Sequence, residues 1–154
     1  MRFSLSTKGS NDIIDITPQV SQALKDSKVK DGVCFISCPG STVGLTTIEA
    51  EPNLLSDFKE FLENITPDRA YRHDQTWGER NAPSHIKSAL IKPFLAILIE
   101  NEKLILGTWQ QIVLIDFDSR PREREVIVKI MNYLTAERRG VPAGKFFRRL
   151  LSPS

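Results

Sequence analysis

Apolar and polar positions along this chain follow two periods, and the switches between them mark its elements. Met1–Thr7 and Asp12–Ile16 are short β-like runs separated by Gly9-Ser10-Asn11, a turn signal. Thr17-Pro18 then opens a helix, because threonine can cap exposed N–H groups and proline suits the first helical position. Val20, Ala23 and Leu24 supply its i, i+3, i+4 apolar stripe, and Asp31-Gly32 ends the segment. Gly32–Cys38 (GVCFISC) is apolar and β-branched and reads as a buried strand, broken by Pro39-Gly40-Ser41. Leu45–Glu49 resumes the extended pattern. Glu51-Pro52-Asn53 breaks it again, with Asn53 as the expected cap of a helix running to Ile65. The expected apolar face of that helix carries Leu54, Leu55, Phe58, Phe61, Leu62 and Ile65, and Asp57, Lys59, Glu60 and Glu63 read as its solvated charges.

Thr66–Ala82 breaks the periodicity. Pro67, Gly78 and many polar groups exclude a long regular element, yet the stretch carries Tyr71, His73 and Trp77. A long polar loop holding aromatics in a small domain is often functional. Ser84–Ile91 reads as a short helix with Ile86, Ala89 and Leu90 facing inward. Phe94–Glu100 is a strand, Asn101-Glu102-Lys103 a hairpin-type break, and Leu104–Leu106 leads to Gly107. Thr108–Asp118 reads as a long strand with both faces apolar, as in a central strand or one covered by another subunit. Ser119–Arg122 turns the chain into a last strand, Glu125–Leu134. Hairpin-linked strands with helices packed on them give an α+β class with a mainly antiparallel sheet or sandwich.

Length and composition fit this picture. A chain of 154 residues, with 40% hydrophobic and 26% charged residues, favours one domain with a sizeable core. Twenty-one basic and nineteen acidic residues leave a net charge of +2, which makes nucleic-acid binding an unlikely role. No apolar run approaches a membrane span, and the N-terminal MRFSLST lacks the apolar core of a signal peptide. Cys34 and Cys38 lie four apart on one strand, too far for a disulfide, so they read as free thiols in a reducing, cytoplasmic setting. Residues 135–154 change character. Arg138, Arg139, Lys145, Arg148 and Arg149 make a basic C-terminal extension, either solvated, in contact with a subunit, or touching phosphate.

Chemistry concentrates in one place. The chain has two histidines, His73 and His85; they bracket Asp74, Trp77, Glu79, Arg80, Asn81 and Ser84, with Tyr71 and Arg72 immediately before them. Histidine suits proton transfer near neutral pH and metal ligation, but no zinc-type histidine spacing is present. A second constellation is Gly40-Ser41-Thr42-Val43-Gly44 with Thr46 and Thr47. Its glycines would let the backbone approach an anion and its hydroxyls would hold phosphate oxygens, although it equally suits a turn between strands. Glu49 and Glu51 share one strand face, as paired carboxylates or as a wet strand end. Gly107-Thr108-Trp109-Gln110-Gln111 suits a pocket rim or a plain sheet edge.

Three separated segments, GSTVGLTTIEAEP (Gly40–Pro52), YRHDQTWGERNAPSH (Tyr71–His85) and LGTWQQIVLIDFD (Leu106–Asp118), together resemble the YjbQ family, also called the secondary thiamine-phosphate synthase family. The resemblance covers residues 1–134. It implies a homotrimer with sites near subunit boundaries, and a cleft lined by the acidic strand, the YRHD-type loop and the GTWQ segment. By position it implies site residues Glu49, His73, Trp77, Asn81, His85, Thr108 and Gln110. The implied reaction joins a hydroxymethylpyrimidine diphosphate to a thiazole phosphate and releases pyrophosphate, as a secondary activity. His73 and His85 would carry protons or steady the leaving group, and Glu49 would orient a histidine or hold a cation. Ser41, Thr42, Thr46, Arg72 and Arg80 would bind the anionic substrate. A divalent metal, Mg²⁺ or Zn²⁺, is the implied cofactor. Pro83 stands where many members have histidine, and Gly40 lies near another such position, so this chain lacks ligands that a family metal site would use. Two rivals remain: a non-catalytic small-molecule or metal-binding protein, and an interaction module using the basic tail.

Overall fold

Nearly every strand of this protein has one apolar face, and two sheets stack to bury those faces. The structure, a computed structural model, describes residues 1–133, so the basic extension at 135–154 lies outside the described residues. The strands are β1 (Arg2–Thr7), β2 (Asp12–Asp15), β3 (Gly32–Ser37), β4 (Val43–Ile48), β5 (Phe94–Glu100), β6 (Lys103–Leu104), β7 (Gln111–Asp116) and β8 (Arg122–Asn132). The helices are α1 (Thr17–Ser27), α2 (Pro52–Ile65), α3 (Asp74–Trp77) and α4 (Ala82–Ile91). One sheet has five strands in the order β1-β8-β3-β5-β6, and the other has three, β2-β7-β4. Every pairing is antiparallel, giving the expected α+β class.

Burial follows the period of two. Cys34 and Ile36 of β3, Val126 and Val128 of β8, Val43 and Leu45 of β4, and Ile112 and Leu114 of β7 meet in one core, with Val20, Ala23 and Leu24 of α1. Each such fully buried aliphatic side chain is worth about 1.5–3 kcal/mol. The alternate residues of β7, Val113 and Ile115, join Phe117 and Leu62 of α2 in a second core on the outer side of the smaller sheet. This explains why β7 is apolar on both faces: it is the central strand of that sheet. Both cysteines are buried and unpaired, and burial pushes each thiol up to about 11.

The inner faces of β7 and β8 each end in a charge. Asp116 continues the row of Ile112 and Leu114, and Arg124 continues the row of Val126 and Val128. Arg124 Nη2 meets Asp116 Oδ1 at 2.6 Å and its Nε meets Oδ2 at 2.7 Å, a two-pronged pair between the sheets. Asp116 also accepts from the Thr7 hydroxyl and from the Asp118 N–H at 2.9 Å.

Local details depart from the sequence pattern at several points. Thr17 does not cap α1. It is the first helical residue, and its hydroxyl accepts from Ile112 N of β7 at 2.8 Å. Glu51, not Asn53, caps α2, accepting from Asn53 N and Leu54 N, because Pro52 takes the first helical position and the helix starts two residues earlier. Of the expected apolar face of α2 only Leu62 is buried, while Leu54, Phe61 and Ile65 are exposed. The inward face of α4 is polar: Ser84, Lys87 and Ser88 are buried and Ile86, Ala89 and Leu90 face out. The long strand begins at Gln111 rather than Thr108, because Gln110 N turns back to Gly107 O at 3.0 Å.

Candidate site around His73 and His85

The two histidines meet in space. Their ring centroids lie 4.9 Å apart with the planes at 75°, an edge-to-face arrangement. His85 comes from the first half of α4 and His73 from the residue preceding α3. α4 is held by hydroxyls as well as by the apolar packing of Ala82 and Ile91. Ser84 Oγ donates to Phe117 O at 2.5 Å and Ser88 Oγ donates to Val43 O at 2.7 Å, satisfying carbonyls near the ends of β7 and β4. Lys87 reaches Asn11 Oδ1 at 3.0 Å, and burial lowers its pKa. Gly44 of β4 lets the helix approach, because a Cβ there would sit 2.7 Å from Ile91 Cγ2 and 2.9 Å from the Phe117 ring. That glycine therefore serves helix packing.

His85 Nδ1 lies 3.0 Å from the carbonyl oxygen of Ser41. A carbonyl can only accept, so this contact requires the proton on Nδ1 and, in the neutral ring, leaves the Nε2 lone pair free. Ser41 is set by its neighbour Thr42, whose hydroxyl contacts Arg124 Nη2 at 2.9 Å and Asp118 Oδ2 at 3.2 Å and whose carbonyl accepts from Phe117 N at 2.9 Å. The inter-sheet ion pair thus supports the loop that orients His85. Burial pushes the Asp116 carboxyl up, but bonds from Arg124, Thr7 and Asp118 outweigh it and hold its pKa below the ordinary value. Asp118 behaves likewise, with Arg122 as the main opposing partner.

Two open hollows share the histidines. One, of about 650 Å³, is lined by Arg69, Tyr71, Arg72 and Ile86; the other, of about 660 Å³, by Ser41, Thr42, Glu79, Asn81 and Arg122. The loop carrying His73 is stapled internally. Tyr71 OH donates to Pro67 O at 2.9 Å, Asp74 Oδ2 accepts from Tyr71 N at 2.9 Å, and the Arg69 guanidinium lies 4.8 Å over the Tyr71 ring. Arg80 is occupied by Asp68 at 2.8 Å, an exposed pair that contributes little. Asn81 opens α4, its Nδ2 donates to Glu79 at 3.0 Å, and its buried Oδ1 has no partner.

Of the sequence-derived candidates, Ser41, Thr42, Arg72, His73, Asn81 and His85 therefore gather, though the Thr42 hydroxyl is engaged by Arg124 and Asp118. Trp77 closes the short helix α3. Thr46 lies in mid-β4 opposite Val113, and Glu49 follows the end of β4; neither lines these hollows. Thr108 is an exposed turn residue, and Gln110 bonds Thr47 Oγ1 at 3.1 Å in a separate hollow of about 260 Å³. Within one chain, then, the GTWQ segment does not reach the histidines. Sequence reasoning missed Arg122, read as part of the turn Ser119–Arg122 although β8 begins there, and the Ser41 carbonyl, which no side chain announces. Among the described residues no group of three or more His, Cys, Asp or Glu side chains is placed to hold a metal. Protein zinc sites use at least three such ligands, so the histidine pair of one chain does not compose one.

The same order of elements recurs in known proteins. Residues 1–133 match the family model described as UPF0047 protein YjbQ-like. A UPF0047 protein of Archaeoglobus fulgidus is 38% identical over 132 residues, covering 85% of this chain and all (100%) of its own length. UPF0047 protein YugU of Bacillus subtilis is 33% identical, with 84% and 96% covered. A solved YjbQ/UPF0047 family protein from Clostridium acetobutylicum superposes with a TM-score of 0.78 at 38% identity, covering 85% of this chain and 99% of that one. A YbjQ-like protein of unknown function from Sulfolobus solfataricus superposes with a TM-score of 0.81 at 29% identity, covering 86% and 95%. Both the sequence over its first 133 residues and the two-sheet architecture place this chain in the YjbQ-like UPF0047 family.

Proposed function

We propose that this protein is a transferase for small anionic, phosphorylated substrates, with thiamine-phosphate formation as a secondary activity. The observation that carries the reading is the histidine pair at 4.9 Å, shared by two hollows that also hold arginines. In the reaction a thiazole nitrogen attacks the methylene carbon of the pyrimidine diphosphate. One C–N bond forms, one C–O bond breaks, and pyrophosphate leaves. Negative charge grows on the departing oxygens, and N–H donors aimed at them lower the barrier. Arg72 is exposed beside the histidines, makes no ion pair among the described residues, and supplies such donors. His73 and the Nε2 edge of His85 supply the proton chemistry. No step in this reading runs through a metal. The test is product formation from the two precursors by purified protein, compared with His85→Ala; activity unchanged in that variant overturns the reading.

Both hollows are open, whereas displacement of diphosphate gains from exclusion of water. A homotrimer answers this. α4 turns Ile86 and Leu90 to solvent at 44% and 60% exposure, and Ile86 lines the hollow itself. The outer face of the larger sheet also exposes Phe94, Leu98 and Met131. Apolar faces of this kind mark interaction surfaces. A second copy packed there would close the site and bring in Glu49, Thr108 and Gln110 from a neighbouring chain. The free, buried cysteines support a cytoplasmic setting. No described helix is long and apolar enough to cross a membrane. The openness of the hollows favours one rival, a small-molecule binder without turnover, which the same assay separates by binding without product.

A further inference from the structure

Arg122 is anchored along one edge and open along the other, and no motif in the sequence assigns it a role. Its guanidinium Nε donates to Asp118 Oδ2 at 2.8 Å. Asp118 is itself fixed: it is buried, and the Thr42 hydroxyl contacts the same Oδ2 at 3.2 Å. The Arg122 backbone is also held, because its N–H donates to Thr7 Oγ1 at 3.2 Å where β8 pairs with β1. One edge of the guanidinium is therefore anchored. Its two terminal nitrogens have no partner among the described residues, and the side chain is 38% exposed. Arg122 lines the hollow that contains His85 and Ser41, and also an adjoining hollow of about 240 Å³ with Arg120 and Arg80. Glu79 lines both as well, with its carboxylate engaged by Asn81 Nδ2 at 3.0 Å.

An arginine with a locked position and two free terminal NH₂ groups matches the planar fork geometry of phosphate oxygens, and it loses little entropy on binding. Arg120, two residues earlier and unpaired through its side chain among the described residues, adds charge to the same place. Because the histidines belong to both larger hollows, the loop arginines Arg69 and Arg72 and the strand arginine Arg122 flank them. We infer that Arg122, with Arg120, forms a terminal phosphate or diphosphate subsite beside His85. The substrate class is thereby an elongated compound with an anionic group at Arg122 and its reacting centre near the histidines. This deepens the small-anion reading of the site and rests on it.

Pyrophosphate and inorganic phosphate are the probes, titrated into the full-length protein by calorimetry. Arg122→Gln and Arg122→Lys are compared with Lys30→Gln, which removes the same charge from another face. Pyrophosphate affinity is expected to fall about tenfold or more in Arg122→Gln, and several-fold in Arg122→Lys, since an ammonium lacks the fork; these losses follow from one or two charge-assisted hydrogen bonds. Lys30→Gln should bind like the parent. Equal affinity in parent and both Arg122 variants overturns the subsite, as does an equal loss in Lys30→Gln or no pyrophosphate binding by the parent. If Arg122→Gln fails to fold, Arg122→Lys decides alone. Arg122-dependent pyrophosphate binding without thiamine-phosphate formation would sink the transferase reading and leave the subsite standing. Product formation unaffected by Arg122→Lys would do the reverse.

Discussion

His85 Nδ1 lies 3.0 Å from the carbonyl oxygen of Ser41, so the loop after β3 dictates which ring nitrogen of the histidine carries the proton. Both partners are held from behind. α4 is fixed by Ser84 and Ser88 on strand carbonyls, and Thr42 is gripped by Arg124 and Asp118. The neutral ring is thus expected as the Nδ1–H tautomer with Nε2 facing the hollow. Long-range ¹H–¹⁵N correlation spectra check this, and an Nε2–H tautomer would remove the proposed orientation.

The Arg124–Asp116 pair is buried, with Asp116 fully inaccessible (0%). Removing Asp116 takes away the closest counter-charge of a buried Arg124, leaving only Asp118 at 3.9 Å and Thr42, and breaking a buried pair typically costs about 3–5 kcal/mol. Asp116→Asn is expected to lose stability on that scale in urea or thermal unfolding. It should also loosen Thr42 and hence the His85–Ser41 contact. A loss below about 1 kcal/mol, the size of an ordinary surface ion pair, would show that the pair is solvated.

Acid should act through the same network. The pKa values of Asp116 and Asp118 are held below the ordinary 3.8. As pH falls through that value the unfolded chain takes up protons first, so this part of the stability is full above it and is lost below it. Urea midpoints are expected to drop as pH passes below 3.8. A midpoint that holds or rises there contradicts the assigned directions.

Assembly makes a separate claim. Leu90 on α4 and Leu98 on β5 are 60% and 50% exposed on faces that the homotrimer would cover. Sedimentation is expected to give a trimer for the parent and smaller species for Leu90→Asp or Leu98→Asp. A monomeric parent would end the trimer proposal, and trimers in both variants would move the interface elsewhere.

The strands were legible because alternation needs only local pattern. β3 reads buried and half-buried in strict turn from Gly32 to Ser37. The orientation of α4 was not legible, since its apolar residues face out and its serines face in. Hydroxyls were needed on that side to meet the carbonyls of Phe117 and Val43, a demand set by strands distant in sequence. The cap of α2 was missed by two residues because asparagine is the commoner cap and glutamate here reaches forward past Pro52. The histidine pair was legible from clustering around one loop. Arg122 was not, because it reads as part of the turn Ser119–Arg122, and only its place at the start of β8 and its anchoring by Asp118 set it apart. The placement of Gln110 beside Thr47 likewise depends on strand pairing that no local motif encodes.

The most direct test of the central claim is thiamine-phosphate formation from the pyrimidine diphosphate and thiazole phosphate, with parent, His73→Ala and His85→Ala proteins of verified fold. The account predicts product with the parent and a fall of about a hundredfold or more for His85→Ala, the scale of a lost general acid or base. Turnover that survives both substitutions, or no turnover by the folded parent, would contradict it.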